Sequence, residues 1–278
     1  MLRMLERNIE TIEKRLVVLA PSLATPPQAF TNVTLDPTRH RRLVSKMQAL
    51  RGSVYLHEGN IKPHQLSSNG LHQTPEDEQS WHLLMMASPD DVSSCAWYRE
   101  HDETTVSFDD LRVRNCALAQ RDGWKERLTA SVESEIAQAR RERLRYAEVG
   151  GWAVANGRRG TPDGLLLALA TYGLCRALGG ALVVTTANVT HCSSAILRRL
   201  GGSYLESEGE PLPAYFDPRY NTNIELVRFD SRKPNPRYLG LVQTLMAKLS
   251  NVAVVADSFS VAGTNQYAEA SGTAQAAA

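Results

Sequence analysis

Apolar and polar positions alternate along this chain with periods that divide most of it into helices and strands. Leu2, Leu5, Ile9, Ile12, Leu16 and Leu19 recur at spacings of three and four among Glu, Arg and Lys, which predicts an amphipathic helix with a narrow apolar seam. The seam needs cover, either from the chain's own body or from a second subunit, so a homodimer through this helix stays open. Pro21, Pro26 and Pro27 end the helix and begin a linker. Asp36 as N-cap and Pro37 as first helical residue start a second helix, in which Leu43, Val44, Met47 and Leu50 keep helical spacing. Its basic run Arg39, His40, Arg41 and Arg42 reads as a solvated face, or as a contact for an acidic carrier or phosphates. Residues 60–80 are polar and read as a surface loop. Residues 81–87 and 92–99 read as the strands of a hairpin around Ser88-Pro89-Asp90-Asp91. Over residues 124–143, Leu128, Val132, Ile136 and Ala139 predict an amphipathic helix.

The pattern then switches from strand to helix within a short span. Tyr146, Val149, Trp152 and Val154 give a strand over residues 146–155, and Asn156-Gly157 stops it. Leu165, Leu166, Leu169, Tyr172, Leu174, Cys175 and Leu178 give a helix that Gly179-Gly180 closes. Between them lies Arg158-Arg159-Gly160-Thr161-Pro162-Asp163-Gly164. A glycine-bearing loop at a helix start offers unpaired N–H groups beside the positive end of the helix dipole, a place for phosphate or pyrophosphate, and equally a plain turn. Neither a P-loop nor a G-x-G-x-x-G fingerprint occurs. Residues 181–187 form an apolar, β-branched strand, residues 193–200 a short helix closed by Gly201-Gly202, and residues 204–206 and 223–230 further strands. A helix over 238–249 and an Ala-rich tail finish the chain.

Composition narrows the partners. With 31 Lys plus Arg against 30 Asp plus Glu, the net charge of +1 gives no reason to expect nucleic acid or an anionic surface as partner. The four cysteines, Cys95, Cys116, Cys175 and Cys192, are far apart and form no C-x-x-C pair, as expected of reduced thiols in a cytoplasmic protein. No apolar window reaches the length of a membrane span, and the N-terminus lacks the apolar stretch of a secretion signal.

The order of elements implies an α+β fold with a mixed, mostly antiparallel central sheet flanked by helices. It resembles the GNAT fold of acyl-CoA-dependent N-acyltransferases. Arg159-Gly160-Thr161-Pro162-Asp163-Gly164 is similar to the family's R/Q-x-x-G-x-G/A loop, departing from it at Pro162, where glycine is usual and a backbone donor is lost. Leu50-Arg51-Gly52-Ser53-Val54-Tyr55-Leu56-His57-Glu58 looks like the L-R-x-x-V-[YF]-x-x-E segment of autoinducer (acyl-homoserine lactone) synthases and N-acyl amino acid synthases. His82-Leu83-Leu84, Arg99 and Leu197 to Gly202 resemble later features of that branch. The resemblance divides the chain into an N-terminal helix and linker (1–35), a GNAT-like acyltransferase domain (36–256) and a disordered tail (257–278).

The resemblance implies an N-acyltransferase that moves an acyl chain, medium or long, from acyl-CoA or acyl carrier protein to the amine of an amino acid or similar small molecule. The acyl donor is the sole cofactor it calls for. The alternative is a GNAT-fold acyl-CoA-binding or regulatory module without turnover. In the first reading Glu148 is the general base, and Asn188 and His191 face the acyl-transfer centre. Their bland counterparts are a strand-end carboxylate, a turn residue and a surface histidine. The donor would lie along Trp152, Ala153, Val154 and Ala155, with its pyrophosphate on Arg159, Gly160, Thr161, Pro162, Asp163 and Gly164. Arg51, Tyr55 and Arg99 would hold the acceptor, since a planar guanidinium fits a carboxylate. Tyr172 or Tyr204 could protonate the leaving thiol or simply pack in the core.

Overall fold

The computed structural model describes residues 2–258. In chain order its elements are α1 (Leu2–Glu10), β1 (Leu16–Leu19), β2 (Val33–Leu35), α2 (Pro37–His57), β3 (Trp81–Ser88) and β4 (Asp91–His101). Then come α3 (Trp124–Glu142), β5 (Arg145–Val154), α4 (Asp163–Ala177), β6 (Ala181–Asn188), α5 (Ser193–Arg199), β7 (Ser203–Tyr204), β8 (Glu206–Ser207) and β9 (Glu210–Pro211). The last are β10 (Tyr215–Asp217), β11 (Thr222–Asp230), α6 (Leu239–Leu249) and β12 (Ala253–Ala256). A ten-stranded sheet runs β10-β11-β6-β5-β4-β3-β1-β12-β2, with β7 added beside β11, while β8 and β9 form a separate hairpin. Parallel pairing is confined to β5 with β6, β1 with β12 and β12 with β2, and the other ladders of the large sheet are antiparallel.

Helices cover both faces of the sheet, which is why β3 and β6 read as nearly continuous apolar runs. On one face α1, α4 and α6 set Leu5, Ile9, Leu166, Leu169, Val242 and Leu245 against Val18, Leu83, Met85, Val183 and Phe229. On the other, α2 sets Leu43, Met47 and Val54 against Val17, Leu84, Met86 and Val255. Further along the same face, α3 and the short 3₁₀ turns before it pack Leu128, Val132 and Ile136 with Tyr146, Leu182, Val184 and Leu226. The predicted cap of α2 is present: the Asp36 carboxylate accepts from the Arg39 amide at 2.9 Å, and Pro37 opens the helix.

The N-terminal segment departs from the sequence expectation. The helix stops at Glu10, a 3₁₀ turn covers Ile12–Lys14, and Leu16–Leu19 is a strand within the sheet, paired with β3 and β12. Leu16 and Leu19 keep helical spacing by coincidence. The adjacent β-branched Val17 and Val18 bury on opposite faces, as only a strand permits. Leu5, Ile9 and Ile12 are buried on the chain's own core, where α1 packs on α6, so the chain's own body covers these seam residues. The loop expected over residues 60–80 also turns inward, burying His72, Glu76 and Asp77. Of the expected tail, residues 259–278 lie outside the described residues, while Asp257 accepts from the Ser22 hydroxyl at 2.8 Å.

Candidate functional site

β5 and β6 start as parallel neighbours and then part. Their pairing runs from Arg145↔Ala181 to Glu148↔Val184 and stops. Beyond it β5 stays on β4 as far as Ser94↔Val154, and β6 stays on β11 as far as Ile224↔Asn188. Gly150 and Gly151 explain the divergence. Gly151 has φ +64°, and the β4–β5 register shifts between Cys95 and Trp97. A Cβ on Gly150 or Gly151 would lie 2.5 or 2.4 Å from the Trp97 ring, so the pair also lets the indole come close against the backbone. The Thr185 hydroxyl donates to the Val149 carbonyl at 2.8 Å and pins the crotch of the fork.

The fork opens into a cavity of about 550 Å³ that passes from one face of the sheet to the other. Its apolar half is built by Leu165, Ala168, Tyr172, Ile196, Leu197 and Phe229. Its polar half carries Tyr55, Glu58, Asn60, Arg112, Tyr220 and Thr222. Trp152, Ala153 and Val154 form the β5 rim. A strand edge without a partner leaves backbone N–H and C=O groups for a ligand to pair with.

At one mouth lies the glycine-arginine loop. Gly160 has φ +77° with open space where a Cβ would be, Thr161 and Gly164 line the cavity, and the first turn of α4 brings N–H groups that no helix carbonyl satisfies. Both arginines are already engaged. Arg158 pairs with Asp163 at 2.7 Å, and Arg159 donates to the Glu58 carboxylate across the mouth. Asp163 is fully buried and also takes Arg15 at 2.8 Å, so it faces the protein and does not line the cavity, contrary to the expected donor contact. Pro162 and Ala155 are likewise outside the lining: the Pro162 carbonyl accepts from the Leu166 amide at 2.8 Å and the Ala155 amide donates to Ser93 at 2.9 Å.

The expected catalytic residues separate. Asn188 and His191 line the cavity together. Asn188 Oδ1 accepts from the His191 amide at 3.0 Å and the Thr222 hydroxyl at 3.3 Å, and His191 Nε2 lies 3.9 Å from Glu58 Oε2. Glu148 is buried away from the cavity. Its oxygens accept from the backbone amides of Arg112 and Val113, each at 3.0 Å, so its observed work is to fix the turn that carries Arg112. Of the acceptor residues, Tyr55 lines the cavity. Arg51 does not: it is fully buried, with its fork on Asp77 at 2.9 and 2.8 Å and its Nε on His72 at 3.0 Å. Arg99 lies opposite Glu148 in the ladder, also outside the lining.

Burial dominates the electrostatics around Arg51. It would raise the Asp77 pKa, but the guanidinium outweighs it and holds the carboxyl below its usual value. Burial, reinforced by the same cation, pushes His72 down to about 4. Burial also pushes His82 down to about 4 and the Cys95 thiol up to about 12. Sequence reasoning missed Arg112, Trp97 and Glu58. Arg112 sits in a stretch of 3₁₀ turns with no periodicity to draw attention to it. Glu58 ended a recognised segment without being given a role.

No protein-family model matches the sequence, and no curated protein matches it. Solved structures do. The CoA-dependent acyl-homoserine lactone synthase BjaI, solved with SAM and isopentyl-CoA, is 13% identical, with 87% of this chain and 93% of that one covered at a TM-score of 0.52. MesI, another CoA-dependent acyl-homoserine lactone synthase, is 11% identical, with 84% and 95% covered and a TM-score of 0.52. At these identities the likeness concerns the fold, and the fold is the GNAT-like one expected from the resemblance.

Proposed function

We propose that this chain is an N-acyltransferase that transfers an acyl group from a thioester donor to the amine of an amino acid or similar small molecule. The observation that carries the reading is the fork between β5 and β6, which joins an apolar chamber to a polar one through the sheet. An acyl-CoA or acyl carrier thioester has the same division: an apolar chain, a carbonyl that must meet a nucleophile, and a pantetheine arm ending in phosphate. The acyl chain, medium or long, occupies the side of Leu165, Ala168 and Ile196. The pantetheine amides pair with the free β5 edge at Trp152, Ala153 and Val154. Gly160, Thr161, Gly164 and the start of α4 receive the phosphates, with Arg159 as their countercharge. CoA as donor draws support from the CoA-dependent synthases that share the fold.

His191 takes the proton from the attacking amine as the C–N bond forms and returns it to the donor's thiol as the C–S bond breaks; the Asn188 oxygen holds its backbone amide, and Glu58 lies 3.9 Å from Nε2. A β5-edge N–H polarises the carbonyl oxygen. Three buried free cysteines suit a reducing, cytoplasmic setting. Among the described residues no helix is long and apolar enough to cross a membrane. The test is mass spectrometry of lipids from cells overproducing the chain. N-acyl amines should accumulate with the intact protein and fall sharply with His191→Ala. Their absence in both would overturn the proposal.

A further inference from the structure

Among the described arginines that line the cavity or lie just behind its wall, Arg51, Arg112, Arg158 and Arg159, only Arg112 has a charge not consumed by a tight carboxylate pair. Arg51 is held by both oxygens of Asp77, Arg158 grips Asp163 at 2.7 Å, and Arg159 is bonded to Glu58. Arg112, by contrast, meets Glu76 through a single contact at 3.5 Å, and its side chain is 25% exposed. Its Nη2 donates to the Tyr220 hydroxyl, while Nη1 makes no hydrogen bond among the described residues. The guanidinium is nevertheless held in place. Its carbon lies 5.7 Å from the Trp97 ring centroid and 6.0 Å from that of Tyr220, and Glu148 fixes its backbone amide. Tyr55 closes the side, edge-on to Tyr220 with centroids 6.3 Å apart.

A guanidinium that is rigid, flanked by π faces and still owning free donors is built to receive a planar anion. Its position defines which anion. Trp97 lies between Arg112 and the Gly150-Gly151 backbone where the fork begins, so a group held on Arg112 sits beside the strand edge assigned above to the thioester. We infer that Arg112 is the carboxylate anchor of the acceptor, and that the acceptor is a molecule whose amine stands close to a free carboxylate, as in an α-amino acid. This rests on the acyltransferase reading. Arg112 sets the acceptor's position and selects against amines lacking the anion, while Tyr220 and Glu148 position Arg112.

The experiment separates binding from turnover. Saturation-transfer NMR on the full chain is run with a pool of the proteinogenic amino acids and with the matching pool of their amides, each with and without CoA. Amino acids should give signal and amides little. Arg112→Gln should weaken amino-acid binding roughly 10- to 100-fold, the range for one charge-assisted bidentate pair. Arg112→Lys should fall between, and Tyr220→Phe, which keeps the ring, should cost a few-fold. Thermal melts check that each variant is folded. Equal signals from acids and amides, no signal from either, or wild-type binding in folded Arg112→Gln would overturn the inference. Turnover is read separately as thiol release from dodecanoyl-CoA. Carboxylate binding without turnover would retain the Arg112 subsite and sink the acyltransferase reading.

Discussion

At the level of single residues, Gly151 carries more of the site than its lack of a side chain suggests. Its φ of +64° belongs to the left-handed region, and an added methyl group would lie 2.4 Å from Trp97. Gly151→Ala should therefore lower stability by roughly 1–3 kcal/mol through strain and overpacking, measured by urea denaturation, and should move the Trp97 ring that supports Arg112. A neutral outcome would mean that the bulge relaxes freely. Glu58 gives a prediction of opposite sign. It now occupies Arg159, the countercharge proposed for the donor's phosphates, and so competes with the ligand. Glu58→Gln should tighten CoA binding several-fold in calorimetry while slowing acylation, and Arg159→Ala should lose binding. Weaker binding in Glu58→Gln would refute the competition. Glycine at Gly160 was readable as an open loop because the cause is local, in one backbone angle. The duties of Arg51, Asp163 and Glu148 were not, since Arg51 and Glu148 work with partners 21 to 36 residues away and Asp163 joins Arg158 to the distant Arg15, and sequence assigns no such partner.

At the level of elements, periodicity located most helices and strands because each buries one stripe or one face. It failed for β1, β2, β9, β10 and β12, which have two to four residues apiece, too few to show a period. The failure matters at α4. Arg15, just before β1, reaches the buried Asp163 at the start of α4, where Arg158 completes a triad. The N-terminal segment thus helps to hold the loop that carries Gly160. Asp163→Ala leaves both arginines without their shared anion at a helix end whose dipole already repels them. Asp163 is fully buried, but Arg15 and Arg158 are 25% and 39% exposed and can be hydrated once it is gone, so the loss should be on the order of 1–3 kcal/mol, with the loop freed. Urea denaturation gives the stability, and faster amide hydrogen exchange over residues 156–164 gives the loosening. Asp163→Asn keeps the shape without the charge, so a similar loss there identifies charge as the cause.

The whole molecule responds to pH through groups that lie apart from the cavity. His82 is fully buried, its Nε2 donates to the Asp77 carbonyl at 2.7 Å, and its Nδ1 has no partner among the described residues. Protonation would bury a charge and an unpaired N–H together, which is why its pKa falls to about 4. In the unfolded chain it returns to about 6.5, so below that value the unfolded state binds the extra proton. Stability due to His82 is therefore complete above pH 6.5 and declines as pH falls toward 4, by on the order of 3 kcal/mol over the whole window. His72 acts in the same direction over the same window. Asp77, depressed by Arg51, holds its contribution above the ordinary carboxylate range and loses it only as pH falls further. Loss should thus begin near pH 6.5, well before carboxylates titrate. Urea midpoints measured from pH 8 to pH 4.5 should fall steadily in the wild type. His82→Gln should start lower at pH 8, having lost a packed ring, yet fall less steeply. Parallel curves for the two proteins would show that the histidine is not the titrating group.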